Sequence, residues 1–121
     1  MRDVPALPDR PLQPVDDVRS LVPLWPLRQR RHAVVVCSDE TGEYEAARER
    51  FAQLGAELVV ERRPGPLSQA LGRPSVTVAD RYGSVGLRAR RAGVAEILHR
   101  LEAFELECPE CGPYAWGDPR R

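Results

Sequence analysis

The run His32-Ala33-Val34-Val35-Val36-Cys37 restricts the fold more than any other part of the chain. It is apolar from Ala33 onward and centred on three consecutive valines. A β-branched run with no outward polar residue reads as a strand buried on both faces, the environment of a parallel sheet. Such a strand cannot stand alone. It needs partners on either side and helices above and below, and the following sequence offers both.

Ser38-Asp39-Glu40-Thr41-Gly42 supplies turn and cap chemistry, with Thr41 placed as the N-cap. Tyr44, Ala47, Phe51 and Leu54 then fall on one helical stripe, with Glu43 and Glu45 near its start and Gly55 just past its end. The spacing predicts one amphipathic helix there. Residues 56–61 read as a second strand, so strand, helix and strand form a right-handed βαβ unit with parallel strands. Pro64-Gly65-Pro66 breaks the chain, and residues 67–71 offer a short helical turn. Residues 74–79 and 84–89 alternate around the turn Asp80-Arg81-Tyr82-Gly83, predicting an antiparallel hairpin. Val94, Ile97, Leu98, Leu101 and Phe104 mark a last amphipathic helix, which Pro109 ends. The order is β-α-β, crossover, β-β-α: a mixed four-stranded sheet flanked by helices.

Residues 1–31 hold Pro5, Pro8, Pro11, Pro14, Pro23 and Pro26 and read as an extended arm with one helical turn at residues 16–21. Leu21, Val22, Leu24, Trp25 and Leu27 are too apolar for a free tail and are expected to pack on the core. Arg28-Gln29-Arg30-Arg31 reads as a solvated turn. The organisation is thus an arm (1–31), a core domain (32–107) and a tail (108–121), in a chain whose 121 residues suit one domain.

Charge excludes some functions. Eighteen basic residues, all arginine, balance eighteen acidic ones, so no electrostatic argument favours nucleic acid or an anionic membrane. The N-terminal sequence lacks the charged-then-apolar pattern of a secretory signal, and no apolar run is long enough to span a bilayer. The expected location is the cytoplasm, where three cysteines are redox-active, metal-binding or free rather than a disulfide framework.

Three stretches resemble a known family. Pro74-Ser75-Val76-Thr77-Val78-Ala79-Asp80-Arg81-Tyr82-Gly83-Ser84-Val85 resembles the proline, apolar strand, turn glycine and return strand of thioredoxins and peroxiredoxins. Leu24-Trp25-Pro26-Leu27-Arg28-Gln29-Arg30-Arg31-His32-Ala33-Val34-Val35-Val36 is similar to the lead-in to the first core strand of the redoxin branch. Phe104-Glu105-Leu106-Glu107-Cys108-Pro109-Glu110-Cys111-Gly112-Pro113-Tyr114-Ala115-Trp116 is similar to the tail of some small bacterial redoxin-like proteins. The resemblance, to the redoxin and peroxiredoxin-related part of the thioredoxin-like superfamily (alkyl hydroperoxide reductase and thiol-specific antioxidant type), covers roughly residues 21–116. It implies a thioredoxin-like fold, thiol–disulfide oxidoreductase or antioxidant chemistry, a thioredoxin-type reductant as partner, and a cis proline at Pro74 facing the active site; read without the resemblance, Pro74 is an ordinary strand-entry proline with a trans bond.

The chain departs from that family where the chemistry resides. The family's reactive cysteine follows the first core strand at a helix N-terminus, where the dipole and free N–H groups favour the thiolate. Here Glu40-Thr41-Gly42-Glu43-Tyr44 occupies the region, with no thiol. Thr41 could imitate a peroxidase-site threonine or serve as the N-cap.

Three readings of the remaining chemistry stay open. Cys108-Pro109-Glu110-Cys111 has the spacing of a reversible dithiol, of half a zinc site, or of residues with no chemistry at all. Zinc needs four ligands, so Cys108 and Cys111 would need Cys37, a histidine or a second subunit, as in a zinc-bridged homodimer. Cys37 reads as a small buried hydrophobe, or as a displaced thiol if the tail folds back over it. His32 and His99 read as surface histidines, and Trp25, Trp116 and Tyr114 as anchors for arm and tail. The functions expected are, in order, a thiol-redox protein using the Cys108/Cys111 dithiol, a redox-inactive module that binds a partner protein, and the zinc-bridged dimer. The second predicts an exposed apolar patch around the Pro74 loop.

Overall fold

A computed structural model describes residue 12 and residues 15–106. Chain order is a 3-10 helix (Val22–Leu27), β1 (His32–Cys37), α1 (Gly42–Ala46), α2 (Arg48–Gln53), β2 (Ala56–Glu61), α3 (Pro66–Leu71), β3 (Ser75–Ala79), β4 (Val85–Ala89) and α4 (Val94–Leu106). The strands form one mixed sheet in the order β2-β1-β3-β4. β1 runs parallel to β2, with Val34 opposite Leu58, and antiparallel to β3, with Val35 opposite Thr77. β3 and β4 form the antiparallel hairpin, with a register shift between Val78 and Ala79.

The alternation of β1 explains why it carries no polar side chain after His32. Val34 and Val36 point to one face, where Ala56, Leu58, Val76 and Val78 meet Tyr44, Phe51, Ile97, Leu101 and Phe104 from α1, α2 and α4. Ala33, Val35 and Cys37 point to the other, beneath Leu67 and Leu71 of α3 and Val18 and Leu24 of the arm. All six β1 residues are buried. Each fully buried Phe, Ile or Leu here contributes roughly 1.5–3 kcal/mol of apolar transfer, so the two clusters hold both helix layers to the sheet.

Glycine matters at two crossings. Gly72 ends α3 at φ +92°, its N–H donating to the Ser68 carbonyl at 2.8 Å, a conformation that L side chains avoid. At Gly86 of β4, a Cβ would sit 2.7 Å from the Phe104 ring, so only glycine lets α4 lie this close to the strand. The Arg73–Pro74 peptide leading into β3 is cis.

Four local expectations are corrected. The helix expected over the Tyr44–Leu54 stripe is two short helices, because the chain tightens at Ala47, whose N–H donates to the Tyr44 carbonyl at 3.0 Å. The stripe itself survives, with Tyr44, Ala47 and Phe51 buried, and no residue type in the sequence marks the break. The helical turn expected at residues 16–21 lies further on, as the 3-10 helix Val22–Leu27 with Pro23 at its start. The preceding residues instead pair with the hairpin turn: Val18 N–H donates to Gly83 O at 2.8 Å and Val85 N–H to Asp16 O at 3.0 Å. Only Leu24 of the 3-10 helix is buried, whereas Val22 is 58% and Trp25 41% exposed, because one short helix can turn only one side inward.

The fourth correction is His32, expected at the surface but 2% exposed. Its Nδ1 accepts the Arg81 backbone N–H at 3.0 Å, which leaves the proton on Nε2 to donate to Glu105 Oε2 at 2.6 Å. Its ring packs on Phe104 at a centroid distance of 5.0 Å. No helix among the described residues is long and apolar enough to cross a membrane.

Candidate functional site

The carboxyl end of β1, the start of α1, the Arg73–Pro74 loop and the end of β4 converge on one cleft of about 340 Å³. Asp39, Glu40, Glu43 and Tyr44 line it from the β1–α1 side, Arg73, Pro74, Ser75 and Val76 from β3, and Arg90 and Arg91 from beyond β4. Convergence at this end is a consequence of the topology. In α/β sheets the loops after the strands' carboxyl ends splay apart and leave a crevice. The surface expected to be apolar around Pro74 is instead charged on both walls, with carboxylates facing guanidinium groups.

Arg73 organises this pole of the molecule. Its Nη1 donates to the Glu61 carbonyl at 2.9 Å, and its Nη2 donates to Asp39 Oδ1 and to the Arg62 carbonyl. One side chain thus ties the loop after β1, the end of β2 and the loop before β3. A planar guanidinium with five donors can serve these acceptors together, which an ammonium could not do in the same geometry.

Glu61 completes the arrangement from below. Its Oε1 accepts Ser68 N–H and Ser68 Oγ–H, both at 2.6 Å, and its Oε2 accepts Leu67 N–H at 3.1 Å. It therefore caps α3 from the end of the strand that precedes it. Burial raises its carboxyl pKa, but the Ser68 and Leu67 hydrogen bonds and the Arg73 charge outweigh this and hold it below the ordinary carboxylate value.

Cys37 lies beneath α3 and is fully buried. Burial pushes its thiol pKa up, Glu61 adds to that, and the Ser75 and Ser68 hydroxyls with the Arg73 charge only partly oppose it. A neutral, sealed thiol is a poor nucleophile. It is not among the side chains that line the cleft, although Val36 and Ser38 on either side of it are.

Thr41 is buried and turned away from the cleft. Its side chain makes no cap hydrogen bond. Its hydroxyl donates to Glu45 Oε2 at 2.5 Å and accepts from Arg62 Nε at 3.2 Å, and Arg62 also pairs with Glu45. The Tyr44 hydroxyl donates to the Ala92 carbonyl at 2.7 Å, and burial raises its pKa, so it is a structural tie and not a base. The cleft lining holds neither a thiol nor an imidazole; its polar side chains are Ser38, Ser75, Tyr44, three carboxylates and three guanidinium groups.

The structure therefore brings Pro74 to the cleft and leaves Cys37 and Thr41 outside it. Cys108, Cys111, Tyr114 and Trp116 lie outside the described residues. Among those described, no group of three or more His, Cys, Asp or Glu side chains is placed to hold a metal ion. Sequence reasoning missed Arg73, Arg90 and Arg91, since arginine is abundant along the chain and nothing local marks these three. A scan of family models, a search of curated proteins and a search of solved structures each returned no significant match to this chain.

Proposed function

We propose that this is a thioredoxin-like domain of the redoxin branch whose core has given up thiol chemistry and instead binds a partner protein through the charged cleft beside Pro74. The strand order β2-β1-β3-β4, with its parallel pair and antiparallel hairpin, supports the fold assignment. One observation carries the functional part: charged side chains line the site where such domains hold a reactive thiol, while Cys37 is sealed under α3. A partner segment presenting both signs of charge would match the two walls, and rejection of singly charged segments gives such a cleft its selectivity. The outer edge of β2 is less suited to docking, because Arg48 Nη1 already donates to the Leu58 carbonyl there at 3.1 Å.

A second reading rests on the spacing of Cys108 and Cys111 in the sequence. There the two thiols would form a disulfide, passing two electrons and two protons to a peroxide whose O–O bond breaks to give two waters, or an alcohol and water from an organic peroxide. A thioredoxin-type reductant in the cytoplasm would restore them. Zinc shared between two such tails is the third reading.

Thiol counting on native protein by intact mass, before and after mild peroxide, with metal content measured on the same sample, separates the three. The binding-module reading expects all thiols to remain reduced, no stoichiometric zinc, and Cys37 unmodified until the protein is unfolded. A Cys108–Cys111 disulfide that a thioredoxin system reduces would replace it with the redox reading. One zinc per two chains would replace it with the bridged dimer.

A further inference from the structure

We propose that the acidic segment 107–116, which follows α4, docks in cis on an arginine- and tryptophan-lined depression of the N-terminal arm. That depression, of about 520 Å³, is lined by Trp25, Pro26, Arg28, Gln29 and Arg30. Trp25 is an exposed aromatic held rigid: its Nε1 donates to the Arg19 carbonyl at 2.9 Å, and the Arg28 guanidinium lies 5.3 Å from its ring centroid. Between Val18 and Ser38 the sequence carries four arginines and no carboxylate, an imbalance absent from the chain as a whole. A rigid aromatic rimmed by cations is a surface that suits an acidic segment containing aromatic side chains.

Segment 107–116 has that composition and follows directly on α4 in the sequence. It holds Glu107 and Glu110, no basic residue, and the aromatics Tyr114 and Trp116. Glu105, one residue before the end of α4, receives hydrogen bonds from His32 Nε2 at 2.6 Å and Arg81 Nη2 at 3.1 Å. The Arg81 carbonyl in turn accepts the N–H of Gln29, a lining residue, at 2.7 Å. The end of α4 is thus tied, through His32 and Arg81, to the residues that flank the depression, and ten residues reach at most about 35 Å.

The cleft beside Pro74 is the competing destination, and charge decides against it. In the cleft Asp39, Glu40 and Glu43 offset Arg73, Arg90 and Arg91 and leave no net attraction for Glu107 and Glu110, whereas the arm depression presents Arg28 and Arg30 and no carboxylate. The consequence concerns the cysteines. Cys37 lies at the carboxyl end of β1 and the depression near its amino end, separated by a strand of roughly 17 Å. Docking here keeps Cys108 and Cys111 away from Cys37, so any chemistry of that pair is its own. The placement is independent of what the cleft binds.

The test is a nitroxide on Cys111 in the full chain carrying Cys108→Ser, with buried Cys37 left unlabelled under native conditions. Paramagnetic broadening is expected to be strongest at the Trp25 indole and at the backbone amides of residues 22–30 other than Pro23 and Pro26, and weaker at amides 38–43. Reversal of the exposed pair, R28E with R30E, lowers the docked-to-undocked ratio about tenfold, and adding E107R with E110R restores it. Broadening centred on residues 38–43, or on none, would overturn the proposal. So would broadening seen only when labelled and isotope-labelled copies are mixed, which assigns the depression to a second copy. The thiol counts that decide the function leave this result unchanged.

Discussion

Removal of the Glu61 carboxylate tests whether α3 is what seals Cys37. Glu61→Ala deletes the acceptor of three hydrogen bonds, from Leu67 N–H, Ser68 N–H and Ser68 Oγ–H. Loss of a helix cap costs about 0.5–2 kcal/mol, and hydrogen bonds to charged groups contribute about 1.5–3 kcal/mol each when buried. Glu61 is only half-buried, so water replaces part of what is lost, and about 2 kcal/mol is a reasonable total. Most of that loss falls on the six-residue α3, whose remaining ties to the sheet are the buried Leu67 and Leu71 and the Arg88 guanidinium of β4 on the Leu71 carbonyl. At about 1.4 kcal/mol per decade, the open state of α3 becomes about thirtyfold more populated. In a Cys108→Ser/Cys111→Ser background Cys37 is the only thiol, so its rate of reaction with a disulfide reagent reports that opening. A rise of about thirtyfold in that rate, with a smaller rise for Glu61→Gln, is expected. An unchanged Cys37 rate together with an unchanged urea midpoint would refute the capping argument and the seal built on it.

Glu61 also predicts a pH dependence. Its carboxyl pKa is lowered by folding, so its contribution to stability is full above the unfolded value near 4.3 and is lost as pH falls through the folded value. The urea midpoint of the wild-type chain is expected to fall across that acidic window more than that of Glu61→Gln. Gly86→Ala forces a Cβ to within 2.7 Å of the Phe104 ring and is expected to cost about 1–3 kcal/mol in urea unfolding. His32→Ala strands the Arg81 N–H in a buried site and removes the ring from Phe104, for a loss of about 3 kcal/mol read from thermal or urea unfolding. Cys37→Ala is expected to leave any peroxide- or disulfide-linked activity of the full chain unchanged, and a loss of such activity with the fold intact would return Cys37 to the chemistry.

What was legible in the sequence is what depends on neighbours along the chain. The valine run of β1 reads as a doubly buried strand because burial on both faces leaves no place for a polar side chain, and Val34 and Val35 do enter opposite clusters. The same local logic reads β2, the β3–β4 hairpin and the apolar stripe of α4, since periodicity reports which side of an element faces inward. It also places Pro74 at the entrance to β3. Helix continuity through Ala47 was not legible, for no breaker stands there.

What only the tertiary structure decided is which distant groups meet. His32 looks like a surface residue until Arg81 and Glu105, 49 and 73 positions away, supply an N–H for one ring nitrogen and a carboxylate for the other. Glu61 looks like the end of an edge strand until α3 folds back and presents its amide groups. Arg73, one of eighteen arginines, becomes the tie of the cleft only when the end of β2 and the loop after β1 bring their oxygens to it. Apolar patterning is written locally because every buried side chain must answer to its own element. Polar partnership is not, because an arginine that binds a carboxylate across the sheet has the same neighbours in sequence as one that points into water.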